Sequence, residues 1–123
     1  MRHVIALAMI ISMSDAALAN PPDPESNDGF LMRGHERWIT DQRTTLGDVC
    51  CSISDGRPLL DNEIRKRDGH YEVLFSKEHW PDGDGSWLPV PDEAVLTRMS
   101  PMGMPVAWAY HGTIRCVALA GST

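Results

Sequence analysis

The stretch Glu63-Ile64-Arg65-Lys66-Arg67-Asp68-Gly69-His70-Tyr71-Glu72-Val73-Leu74-Phe75 decides how this chain folds. Asp68-Gly69 is the dipeptide favoured at the two positive-φ positions of a type I′ turn, whose twist suits a pair of antiparallel strands. With that turn as pivot, residues 63–67 pair with residues 70–75. Arg65 then stands opposite Glu72, an ion pair on the wet face. Ile64 falls opposite Val73, with Tyr71 and Phe75 on the same inward side. Turn chemistry and alternation agree, and together they predict a β-hairpin.

Downstream, residues 85–90 contain Trp87-Leu88, but Pro89 and Pro91 confine this strand to a sheet edge. Residues 92–98 predict a short helix with its acids at the positive end of the dipole. A second hairpin is expected over residues 106–119, turning at His111-Gly112. Its register pairs Trp108 with Arg115 on one face and sets Ala107, Ala109, Ile114 and Cys116 on the other. Upstream, residues 30–46 show helical spacing: Leu31, His35, Trp38, Ile39, Gln42 and Leu46 share one face. Asn27 or Asp28 caps the start, and Gly47 sits where a left-handed terminator belongs. Gly34 costs such a helix up to about 1 kcal/mol, which moves its start towards His35. The expected architecture is α+β: one N-terminal helix packed on a small antiparallel β-sheet of hairpins, disulfide-stabilised, within a single domain of residues 30–123.

The chain has 123 residues, and its first nineteen read as a cleavable secretory signal. Met1, Arg2 and His3 form a basic start, residues 4–13 an apolar run, and Ala17-Leu18-Ala19 a small-x-small cleavage site. Ten apolar residues in a helix reach roughly 15 Å, half of a bilayer core, which disfavours a membrane span. Asn20 rather than cysteine follows the site, which argues against a lipoprotein. Residues 20–29 carry three prolines and three acids with no large apolar side chain, the composition of a flexible leader. The expected location is periplasmic or secreted. Loss of Arg2 and Asp15 leaves the formal charge at −6. An acidic chain lacks the electrostatic footprint that nucleic acid or an anionic membrane requires.

Three cysteines are present, Cys50, Cys51 and Cys116. Neighbouring cysteines rarely bond each other, whereas either one bridged to Cys116 closes a loop of about 65 residues, worth roughly 4 kcal/mol in the chain-entropy model. The expected bridge joins Cys116 to Cys50 or Cys51. The odd thiol is then inert, reactive, or a link to a second copy in a homodimer.

The run Cys50-Cys51-Ser52-Ile53-Ser54-Asp55-Gly56-Arg57-Pro58, with Trp87-Leu88-Pro89-Val90-Pro91 and Gly112-Thr113-Ile114-Arg115-Cys116, resembles a family of small exported bacterial proteins of unknown function. That family's pattern is Cys-Cys followed by Asp-Cys-Arg-Pro, then Trp-x-Pro-Val-Pro, then Gly-x-Ile-x-Cys. The resemblance covers roughly residues 35–119. It implies export and disulfides, and carries no activity. Gly56 replaces the family's cysteine, and a further cysteine expected near residues 108–111 is absent, as if two bridge partners were lost together.

Candidate chemistry is sparse. Met99, Met102 and Met104 form Met-x-x-Met-x-Met, with His111 and His79 within reach, and thioethers select Cu(I). A periplasmic Cu(I)-binding protein using that loop is the alternative function. Against it, the segment is turn-rich and methionine fills irregular gaps. Asp82, Asp84, Ser86 and Glu93 mimic a calcium loop, but Trp87 occupies its glycine position, so a hairpin tip is the better reading. His35-Glu36 begins like a zincin helix, yet Ile39 stands where the second histidine belongs. There is no nucleophile elbow and no phosphate-cradling loop. Trp108 beside Arg115, and Trp87 beside the edge prolines, offer a stacking surface for a ligand. The sequence therefore points to a non-enzymatic exported binding module without a cofactor, contacting a protein, an envelope component or a small ligand.

Overall fold

A computed structural model of the chain describes residues 21–50 and 55–121. The signal expected over residues 1–19 and the thiol of Cys51 lie outside the described residues. Among the described residues two short helices come first, α1 (Asn27–Met32) and α2 (Glu36–Thr40). Six strands follow: β1 (Asp55–Pro58), β2 (Ile64–Arg67), β3 (His70–Phe75), β4 (Ser86–Pro89), β5 (Val106–Tyr110) and β6 (Thr113–Ala118). They form two antiparallel three-stranded sheets, ordered β1–β5–β6 and β2–β3–β4. The class is α+β, but the single helix on a single sheet is replaced by two helices and two sheets.

The helix divides at Gly34, which takes φ +85°, a backbone state that interrupts the right-handed helix. Ser26, rather than Asn27 or Asp28, caps α1 by accepting from the Gly29 N–H at 3.0 Å. Beyond α2 the chain reverses through a Thr44–Gly47 turn, and Arg43 bridges Val49 instead of extending the helix. Gly47 does adopt positive φ, but in that turn.

The β2–β3 hairpin has the expected register: Ile64 opposite Val73 and Arg65 opposite Glu72, turning through Asp68 (φ +51°) and Gly69 (φ +80°). Glu63 departs from it. It ends a 3-10 turn, Asp61–Glu63, and is buried. β4 is an edge strand, as its prolines require. The helix expected over residues 92–98 shortens to the turn Asp92–Ala94, because Leu96 N–H then donates to Val117 O (2.8 Å) and Ser100 N–H to Leu119 O (2.8 Å). Residues 95–100 thereby line the edge of β6.

The β5–β6 hairpin turns at His111 and Gly112, but a bulge between Trp108 and Ala109 changes its register. Trp108 pairs with Cys116, Ala109 with Ile114, and Arg115 is the extra residue. A bulge moves the following residues to the opposite face. Cys116 therefore leaves the face of Ile114 and joins that of Trp108. Two cores result. Leu59, Val73, Phe75, Trp80, Ala107, Ala109, Ile114 and Val117 pack between the sheets. Met32, Ile39, Cys50, Leu96, Val106, Trp108, Cys116 and Ala118 pack on the other face of β1–β5–β6, under the helices. The Cys50–Cys116 disulfide lies in this second core, so Cys50 is the partner. Among the described residues no helix is long and apolar enough to cross a membrane.

Candidate functional site

The outer face of β2–β3–β4 is the side turned away from the first core. Alternation along the strands brings Arg65, Glu72, Leu74 and Trp87 to it, with Leu74 directly opposite Trp87. The Arg65 guanidinium lies 4.0 Å from the Trp87 ring centroid, and its Nε donates to Glu72 Oε1 at 2.9 Å. Arg65 is thus oriented by a carboxylate on one side and an indole on the other, a cation–π contact worth about 0.5–1 kcal/mol at an exposed site. An open depression of about 600 Å³ continues from Leu74, lined by Leu60, Asn62, Glu63, Lys77 and Asp84. Leu60 is 56% exposed at its rim. The Asp84 carboxyl sits below its ordinary pKa, held by the Ser86 hydroxyl and then by the Ser86 backbone N–H. These contacts order Asp84 to Ser86 where the loop from β3 enters β4.

The expected ligand surface divides accordingly. Trp87 is at the surface and stacks with Arg65. Trp108 is wholly buried, tilted against Trp38 with ring centroids 6.0 Å apart, and cannot present a stacking face. Arg115, displaced by the bulge, does not pair with it.

A second constellation was not foreseen. His79 Nδ1 is 2.7 Å from Asp28 Oδ2, and its Nε2 is 2.8 and 2.9 Å from the two oxygens of Glu63. Arg57 Nε donates to the His79 carbonyl at 2.9 Å and lies 4.0 Å from Asp28 Oδ2. All four side chains are buried. Burial alone would lower the His79 pKa; the hydrogen bonds to Asp28 and Glu63 and the charges of both carboxylates outweigh it and raise it to about 8. Each residue comes from a different segment, and each segment reads locally as loop, cap or strand end. No local sequence signal marks them.

The methionines of the copper alternative differ in environment. Met99 is 55% exposed, Met102 packs against the disulfide-bearing core, and Met104 is half-buried. His111 lies edge-on to Tyr110, and His79 has both ring nitrogens on carboxylates. Among the described residues no group of three or more His, Cys, Asp or Glu side chains is arranged to hold a metal. Set against protein-family models, curated proteins and solved structures, the chain has no match.

Proposed function

We propose that this protein is an exported, non-enzymatic binding module that contacts a protein or envelope component through the outer face of β2–β3–β4. The observation that carries this reading is the Arg65–Trp87 stack, 4.0 Å from guanidinium to ring centroid, continuous through Leu74 with an open depression. Tryptophan and arginine are the residue types that most often dominate binding energy, and a pre-ordered arginine loses less entropy on contact. Export is supported by the signal-like residues 1–19 and by the Cys50–Cys116 disulfide, a bond that persists in oxidising compartments. The periplasm or the extracellular space is the corresponding location.

The test is co-isolation of an envelope component on the purified chain, compared across Trp87→Ala, Arg65→Ala and Arg98→Ala. Arg98 lies beside a different depression, near Asp41 and Gln42. Capture should fall at least tenfold with the first two changes and persist with the third. Equal capture by all three would remove this face from consideration.

A further inference from the structure

We propose that the buried cluster is a clasp: the charged imidazolium of His79 holds residues 23–33 against the body, and this N-terminal strap opens when that charge is lost. A neutral imidazole has one N–H, whereas both ring nitrogens of His79 lie within 2.9 Å of carboxylate oxygens. With both carboxylates ionised, both contacts are hydrogen bonds only in the doubly protonated ring. In the neutral ring one nitrogen lone pair faces a carboxylate at hydrogen-bond distance, in a buried site where such an encounter is costly.

The groups facing His79 are Asp28 from α1, Glu63 from the turn before β2, and Arg57 from β1. Lys77 and Glu78 share its own turn and are exposed. Two carboxylates, one guanidinium and one imidazolium sum to zero charge, and loss of the His79 proton leaves a net negative, desolvated cluster.

The strap is the weaker of the two attachments. Glu63 also accepts from the Leu60 N–H at 2.7 Å, and its chain continues directly into β2. Asp28 sits on a six-residue helix, whose far end is fixed by Met32 in the second core and followed by the Gly34 break. Opening about Met32 to Gly34 frees a six-residue helix, too short to keep its own hydrogen bonds once detached, and leaves both sheets and the disulfide intact while exposing Arg57, Glu63 and His79. The raised His79 pKa, about 8, places the transition in mildly alkaline solution.

Amide hydrogen exchange on the full chain from pH 6.5 to 9.5, corrected for intrinsic rates, with the His79 ring followed by NMR, tests the clasp. Protection of the Phe30 and Arg33 amides, which donate to Ser26 O and Phe30 O, should fall roughly tenfold with the ring's own midpoint. Amides of β5 and β6 should stay protected. Asp28→Asn should show the low strap protection already at pH 6.5 and a flat profile above it. A strap whose protection is unchanged while His79 titrates, or is lost only together with β5 and β6, would overturn the clasp. An Asp28→Asn strap as protected as the native one would do the same.

Discussion

Gly56 stands directly opposite Trp108 across the β1–β5 ladder, and a Cβ on it would come within 2.8 Å of the indole Nε1 and 3.1 Å of Ile39 Cγ2. The indole occupies the space that a side chain at position 56 would need. Trp108 is wholly buried, and among the described residues its Nε1 has no hydrogen-bond partner.

Gly56→Ala should therefore destabilise the fold by about 1–3 kcal/mol, the usual cost of overfilling a packed core. Denaturant unfolding with an unchanged slope and a lower midpoint is the expected result. A midpoint equal to the native one would mean that Trp108 has room to move.

The disulfide permits a sharper contrast. Cys50 and Cys116 are 66 residues apart in sequence and both fully buried. Cys116→Ser should cost about 4 kcal/mol by the chain-entropy estimate. Cys51→Ser should leave the unfolding midpoint nearly unchanged, since the bridge does not use that sulfur. Thiol counting under denaturing, non-reducing conditions should find one free thiol per chain.

His79 makes global stability depend on pH, and the sign follows from its raised pKa. Its stabilisation is complete below the ordinary value of 6.5 and is lost as pH rises from there through about 8. The loss should be about 2 kcal/mol, and unfolding curves at pH 6 and pH 9 read it. His79→Gln should be less stable at pH 6 and lack this dependence across the window. A native protein equally stable at both pH values would mean that the imidazole gains nothing from Asp28 and Glu63.

What could be read from the residues was what is encoded locally. Asp68-Gly69 announces its own turn, and the β2–β3 register follows from it by counting. Pro89 and Pro91 announce an edge by removing ladder donors. The β5–β6 turn was equally legible, but its bulge was not: no residue of the hairpin marks it, and the Trp108 beside it meets Gly56 and Trp38, partners far off in sequence. That one-residue shift moved Arg115 out of register and carried Cys116 to the helix face. Gly34 gave warning of a weak helix, yet the reversal after Thr40 depends on partners such as Val49. The Asp28–His79–Glu63 cluster was invisible for the same reason. Asp28 and His79 are 51 residues apart in sequence, and their charges are tolerated in the interior only because they meet.

Site-specific photo-crosslinking in the native compartment reads out whether the Arg65–Trp87 face is the contact surface. A benzophenone side chain replaces Asn62, exposed on the lining of the depression, or Arg98, exposed outside it. With the chain in its native compartment, position 62 should give one discrete adduct of defined mass, and position 98 none. Adding Trp87→Ala to the first variant should abolish the adduct while secretion persists and the thermal midpoint falls only by what loss of the Arg65 contact costs, about 1 kcal/mol. An adduct from position 98 alone, or one from position 62 that survives Trp87→Ala, would mean that the partner binds elsewhere.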